Sequence, residues 1–262
     1  MALAAIPFGL AIGLSLGMLG GGGSVLAVPV LVYVLGQGVH EATTTSLLVV
    51  TAGALAGGLG HAREGRVCWR HAAAFTAAAL PGVAAGTALG DAVGGATLIG
   101  AFAVVMVVAA AATWSRASAQ GEPDGAPRAA CPPLRVGRDV GAGLLVGLLT
   151  GFFGVGGGFL VVPALAVGLA FSMRLAVGTS LAIVTVTSVM GLVAHLAAGR
   201  GPDADLTIAM TAACAAGAFA GSSFAGRVPQ PLIGRAFAIL LTLVAGYLLV
   251  SAAALGGPPG GS

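Results

Sequence analysis

Residues 3–35 read LAAIPFGLAIGLSLGMLGGGGSVLAVPVLVYVL, and how this stretch sits in a bilayer decides the fold. It is 33 residues long, or ~50 Å as one continuous helix at ~1.5 Å per residue. That is too long for a single untilted span of a ~30 Å hydrocarbon layer. Gly20-Gly21-Gly22-Gly23 interrupts it, so two half-helices meeting at the glycines fit better than one span.

The rest of the chain has the same character. It is 58% hydrophobic and 7% charged over 262 residues, with a mean hydropathy of +1.05. A water-soluble domain cannot cover its surface with so little charge, and the chain reads as an all-α polytopic membrane protein. All eleven basic residues are Arg, which excludes the lysine-dependent phosphate loop of nucleotide hydrolases. The net charge of +3 is too small to argue for nucleic acid. Cys68, Cys131 and Cys214 have no paired spacing and no His or Cys companion at metal-ligand distance. They read as ordinary structural thiols, with neither a disulfide framework nor a metal site expected.

A sliding offset of 134 (163 minus 29) lays Pro163 on Pro29 and superposes Gly143, Gly147, Gly151, Gly154, Gly156 and Gly157 on Gly9, Gly13, Gly17, Gly20, Gly22 and Gly23. The register continues through Thr179-Ser180-Leu181 on Thr45-Ser46-Leu47, Thr185 on Thr51, Gly191 on Gly57 and His195 on His61. The chain therefore divides into a repeat at 1–114, a polar linker at 115–139, a second repeat at 140–254 and a disordered tail at 255–262. If each glycine-broken segment is a re-entrant hairpin, each repeat adds three full spans, an odd number, and the second repeat is inverted. Arginine placement favours this arrangement. It puts Arg63, Arg66, Arg70, Arg116, Arg128, Arg135, Arg138, Arg174, Arg227 and Arg235 on the cytoplasmic side with the linker, and leaves Arg200 and both termini outside.

An unwound glycine segment within a bilayer is tolerable only where it lines a cavity or is buried in protein. A half-helix starting at such a break points N–H groups and a positive dipole end at it, which suits an anion. The candidate substrate site is accordingly Gly20, Gly21, Gly22, Gly23 and Ser24 in the first repeat, with Gly154, Gly156, Gly157 and Gly158 in the second. Thr45, Ser46, Thr51, Thr179, Ser180 and Thr185 supply hydroxyls, Thr51 and Thr185 standing ~15 Å down their helices, near midplane. The competing reading is that these hydroxyls bond their own helices and that the glycines serve close packing. Gly53, Gly57, Gly82, Gly86, Gly90, Gly217 and Gly221 have the small-xxx-small spacing of packing surfaces. His61 and His195 lie ~24 Å from Thr45 and Thr179, at the far ends of their helices, and read as interfacial or gating residues. Glu41, Asp91, Asp203 and Asp205 are expected in loops, leaving no carboxylate for a proton relay.

The paired stretches Gly17-Met18-Leu19-Gly20-Gly21-Gly22-Gly23-Ser24 with Pro29, and Gly151-Phe152-Phe153-Gly154-Val155-Gly156-Gly157-Gly158 with Pro163, followed by Ala176-Val177-Gly178-Thr179-Ser180, resemble the sulfite exporter TauE/SafE family. The resemblance implies a multi-pass permease of a bacterial inner membrane for sulfite or a related organosulfonate anion. Neither enzyme activity, cofactor nor metal is expected, and a homodimer is left open. With no carboxylate for ion coupling, outward movement of an anion would draw on the inside-negative potential, ~2.3 kcal/mol per charge per 100 mV. A permease of the same fold for another small solute is the alternative. An intramembrane serine hydrolase would need Ser24 within reach of His61 or His195.

Overall fold

A computed structural model describes residues 2–90, 95–119, 131–153, 158–197 and 204–255. The described chain is helical throughout, without strands. Ten α-helices run in order: α1 Ala2–Leu19, α2 Gly22–Pro29, α3 Val39–Arg63, α4 Trp69–Gly90, α5 Gly95–Ala119, α6 Val136–Phe153, α7 Gly158–Pro163, α8 Met173–Ala197, α9 Ala204–Ala225 and α10 Gln230–Leu255. Seven of them, α3–α6 and α8–α10, are long and apolar enough to cross a membrane, and three shorter apolar helices accompany them. Leucines, valines and isoleucines such as Leu55, Val104, Val108, Leu145, Ile208 and Leu243 are exposed on the outer surface, as lipid-facing side chains of such a bundle would be.

The repeat read from the sequence recurs as a sequence of elements. α1 ends because Gly20 takes a left-handed φ of +75°, the glycine-dependent C-terminal stop that returns the Gly20 N–H to the Leu16 carbonyl. The chain then folds back, with Gly23 against the α1 backbone at Ile12 and Leu16. Pro29 and Pro163 each lead into five residues of π-helix, Val30–Val34 and Ala164–Gly168. Both stretches end the same way. Leu35 N–H donates to Val30 O and Gln37 N–H to Leu31 O, while Leu169 N–H donates to Ala164 O and Phe171 N–H to Leu165 O, each pair 134 positions apart (35 + 134 = 169). The arms are unequal: α1 and α6 are 18 residues each, ~27 Å, against much shorter returns.

Glycine makes the closest helix contacts. Gly9, Gly13 and Gly17 of α1 press on the backbone at Met210, Cys214 and Ala218 of α9, so α1 and α9 run parallel. Gly143, Gly147 and Gly151 of α6 press on Phe75, Ala79 and Val83 of α4 in the same sense. The long helices α3 and α8, which match in the repeat, run antiparallel: Leu47 meets Gly191 and Gly57 meets Leu181. These two contacts exchange under the offset (47 + 134 = 181; 57 + 134 = 191).

The nine described arginines gather at one end. There Arg66 lies against Gly226, Arg174 donates to Val228 O at 3.2 Å, Arg138 donates to Gly168 O at 2.5 Å, and Arg235 lies over the Trp114 ring. Helices take in both ends of the polar interval 115–139, since α5 runs to Ala119 and α6 begins at Val136. Glu41 stands in the first turn of α3 and Asp205 within α9, not in loops, because both helices start earlier than the apolar pattern does.

One correction concerns that arginine end. Cys68 and Cys131 are joined in a disulfide across 63 positions, where thiols were expected. Spacing along the chain could not reveal it, because the parallel packing of α4 and α6 is what brings the two cysteines together.

Candidate functional site

The glycine break of the first repeat meets the start of α7. Ser24 and Gly158 are repeat partners (24 + 134 = 158), and the Ser24 hydroxyl lies 2.9 Å from where a Cβ on Gly158 would stand. A Cβ on Gly21 would overlap the Gly158 carbonyl, so main chain touches main chain there. The Ser24 hydroxyl itself donates to Gly21 O at 2.6 Å, closing the first turn of α2 on its own N-cap. Gly21 offers no side-chain cap to the α2 amides, which leaves that terminus dependent on main-chain and solvent or ligand acceptors. Around this centre, Gly22 packs on the Phe237 ring of α10, and Gly20 faces the Ser180 hydroxyl and Val162. Gly154, Gly156 and Gly157 lie outside the described residues.

Most of the candidate hydroxyls are engaged within the protein. Thr51 donates to Leu47 O at 2.6 Å and Thr185 to Leu181 O at 2.7 Å, the same bond in both repeats. Ser46 donates to Thr43 O and Ser180 to Val177 O. Thr45 bonds Thr207 of α9 at 3.2 Å, and Thr179 accepts the Cys68 N–H at 3.1 Å. In this packing they close helix turns and join neighbouring helices.

His61 is fully buried. Its Nε2 lies 2.9 Å from Gly17 O, and since a carbonyl only accepts, Nε2 carries the hydrogen. The bond satisfies one of the last carbonyls of α1, just before the break, where the helix has no further turn to do so. His195 is half-buried, with Nδ1 3.3 Å from the Thr44 hydroxyl. Its contact is the repeat image of His61 beside Gly178 (61 + 134 = 195; 178 − 134 = 44). Ser24 and His61 each bond a carbonyl of the break rather than each other, which is no nucleophile–base pair.

A second cluster, which the sequence reading missed, stands at the arginine end. Asp139, in the first turn of α6, is 1% exposed, and its Oδ1 lies 2.5 Å from His71 Nδ1 on α4. His71 Nε2 donates to Pro132 O at 3.0 Å, and the ring meets Phe171 edge-on at 4.9 Å. Asp139 Oδ2 has no hydrogen-bond partner in the structure. A cavity of about 170 Å³ opens here, lined by His71, Arg135, Arg138, Asp139 and the Pro132-Pro133 backbone among others. A carboxylate at the head of an apolar helix was the available signal, and assigning residue 139 to the linker concealed it. A smaller cavity of about 20 Å³, between Phe75, Val146, Thr150 and Thr187, is large enough for about one water.

A family model described as "Sulfite exporter TauE/SafE" matches residues 5–248. A protein of Xylella fastidiosa strain 9a5c named "Probable membrane transporter protein" is 35% identical over 247 residues, 91% of each chain. A second of that name, from strain Temecula1, is 34% identical over the same share. "Probable membrane transporter protein YunE" of Bacillus subtilis is 43% identical over 56 residues, 21% of this chain and 20% of its own. No solved structure matches. An all-α fold among the described residues with seven helices able to cross a membrane, a π-helical stretch after each of Pro29 and Pro163, and a family match across nearly the whole length lead to one conclusion: the chain belongs to the sulfite exporter TauE/SafE family of membrane transporters, and is not an enzyme.

Proposed function

We propose that the protein is a permease for sulfite or a related sulfur-containing organosulfonate anion, held where the two glycine breaks meet. The observation that carries the reading is the apposition of Gly21, Ser24 and Gly158, main chain to main chain across the repeat. Glycine leaves the amides of the break open to close approach, and the uncapped start of α2 directs the positive end of its dipole there. An oxyanion of sulfur carries several acceptor oxygens and matches such donors. Gly20, Gly22 and Gly23, with Gly154, Gly156 and Gly157, complete the proposed cradle. Ser180, Ser46, Thr45, Thr179, Thr51 and Thr185 complete the proposed site as hydroxyls that exchange a bond within the protein for a ligand bond when the breaks part.

In the proposed topology the halves are inverted repeats of three spans and one hairpin in a bacterial inner membrane. The arginine end is cytoplasmic and both termini are outside. The antiparallel run of α3 and α8 and the gathering of nine arginines at one end support it. Transport is uncoupled: an inside-negative potential drives the anion outward, ~2.3 kcal/mol per charge per 100 mV. His61 and His195, one near each end, act as gates, His61 by holding the Gly17 carbonyl at the end of α1 and His195 by its contact with the Thr44 hydroxyl of α3.

The test is uptake of radiolabelled sulfite into proteoliposomes under an imposed potential, with Gly21→Ala and Ser24→Ala variants whose folding is checked by size-exclusion chromatography. Potential-dependent flux, competed by organosulfonates and lost in folded Gly21→Ala, is the expected result. Flux that needs a proton or sodium gradient would overturn the uncoupled mechanism, and no flux of any sulfur anion from folded protein would overturn the substrate.

A further inference from the structure

The Cys68–Cys131 bond holds together three parts of the arginine end. Cys68, 2% exposed, heads α4 and gives its amide hydrogen to Thr179 of α8. Cys131 is exposed and begins the five-residue strap Cys131–Arg135 that leads into α6. Between them His71 grips the strap at Pro132 O and the helix at Asp139, and the strap forms one wall of the 170 Å³ cavity. The arrangement exists at one end only, for the repeat positions of Cys68, His71 and Asp139 hold Pro202, Asp205 and Ala5 (68 + 134, 71 + 134, 139 − 134). In a molecule otherwise built twice over, a cross-link on a single face distinguishes the two faces.

We propose that this disulfide is a redox latch, opened by a sulfur-centred anion that attacks Cys131. The proposal rests on the cytoplasmic orientation given above, because that compartment keeps thiols reduced and disulfides there are characteristically transient or redox-sensing. The nucleophile approaches from the side of the exposed residue, Cys131, rather than that of buried Cys68, and Arg135 and Arg138 on the cavity wall attract an anion toward it. A thiolate forms a bond to Cys131 Sγ, the Sγ–Sγ bond breaks, and Cys68 leaves as a thiolate that takes a proton from water. A second thiolate displaces the first from Cys131, giving the small-molecule disulfide and the free Cys131 thiolate. Sulfite enters by the same first step and leaves Cys131 as its S-sulfonate. Either way the strap loses its covalent tie beside α4 and keeps the His71–Pro132 bond, and the wall of the cavity is free to lift from the returning end of the second hairpin.

The test uses the full chain in lipid nanodiscs, exposed separately to glutathione and to sulfite. Peptide mass mapping identifies the adduct and hydrogen–deuterium exchange reads the segments. The expected result is an S-sulfonate on Cys131 and not Cys68 from sulfite, and two free thiols, read by alkylation before mapping, from glutathione, in either case with exchange in residues 134–139 and 169–173 faster by about tenfold and α1 and α9 unchanged. A Cys131→Ser variant should show the same pattern with no reagent and no further change on adding one. Opening by glutathione alone assigns the latch to cellular thiols, and opening by sulfite assigns it to the proposed substrate. The latch is refuted by a bond that resists both reagents, by cleavage that leaves those segments unchanged, or by cleavage that raises exchange everywhere, the mark of a merely structural cross-link. Because no readout depends on flux, failure here leaves the permease reading untouched, and failure of sulfite transport leaves the latch.

Discussion

Helix α6 carries two glycines one turn apart at most whose surroundings differ completely, and a pair of alanine substitutions should expose that difference. At Gly141 nothing lies within 4 Å of an added Cβ. At Gly143 the same atom would stand 2.5 Å from the Phe75 carbonyl oxygen and 3.1 Å from the Ala78 Cβ. Ordinary contact begins at 3.4 Å, so α6 must retreat from α4 by 3.4 − 2.5 = 0.9 Å at this point. The obstacle is a carbonyl of a helix backbone and cannot rotate aside. Both substitutions gain the same helix propensity, ~0.8–1.0 kcal/mol over glycine, so it cancels in the comparison. What remains is overpacking, about 1–3 kcal/mol, with no compensating hydrophobic gain because lipid tails are as apolar as the methyl group. Gly143→Ala should therefore be less stable than Gly141→Ala by that amount, measured by reversible unfolding in mixed detergent micelles. A difference under about 0.5 kcal/mol, the scatter of substitutions at neutral surface sites, or one of opposite sign would refute the glycine-mediated contact of α6 with α4.

His71→Ala should destabilise by about 3–5 kcal/mol, because it leaves the buried Asp139 carboxylate with no partner; the double variant with Asp139→Ala should recover much of the loss, and a cycle of thermal unfolding midpoints checks both. Thr185→Val, which removes a hydroxyl bonded only to its own helix, should change stability by under about 0.5 kcal/mol; loss of flux in this stable variant would mark a ligand contact, and unchanged flux would remove Thr185 from the proposed site. His61→Ala should cost about 1–3 kcal/mol by orphaning Gly17 O, whereas His61→Gln, which can keep a donor there, should cost less, as read by thermal unfolding. A non-reducible cross-link between Leu47→Cys and Gly191→Cys should stop sulfite flux in proteoliposomes, and full flux after complete cross-linking would show that α3 and α8 do not move on one another.

What the sequence made legible is what repeats. Pro29 and Pro163, the glycine strings and the Thr-Ser pairs share one offset, and the structure returns that offset in the π-helical stretches after each proline and in the matched bonds of Thr51 and Thr185. The break at Gly20 was legible because a run of four glycines cannot hold a helix against a left-handed turn. Illegible were contacts that occur once. Cys68 with Cys131 and His71 with Asp139 lack repeat images and join residues more than 60 positions apart, and neither spacing nor periodicity carries a sign of them. Periodicity was equally silent on whether a glycine meets a ligand or a helix. Gly9 and Gly143 proved to face helix backbones, and nothing in a glycine's residue type separates them from Gly21.

The packing also bears on which parts can move. If the bodies of an alternating mechanism were the two sequence halves, the interface between them would have to slide. Yet α1 of the first repeat is pressed backbone to backbone on α9 of the second, and α6 of the second on α4 of the first. Contacts in which even a methyl group would collide with a carbonyl cannot slide by a turn without forcing the helices apart. The pairs α1 with α9 and α4 with α6 therefore behave as units that mix the repeats, each the image of the other. The contacts between α3 and α8 are different: leucine side chains, Leu47 and Leu181, fill the space over Gly191 and Gly57 at 3.3 Å, and side chains can change rotamer where backbones cannot. Movement at α3 and α8 would part the breaks at Gly21 and Gly158 while each hairpin arm stays fixed to its long partner. The repeat symmetry then requires that whatever opens the site toward one end has an equivalent that opens it toward the other, with the single cross-link at Cys68 left to make the two openings unequal.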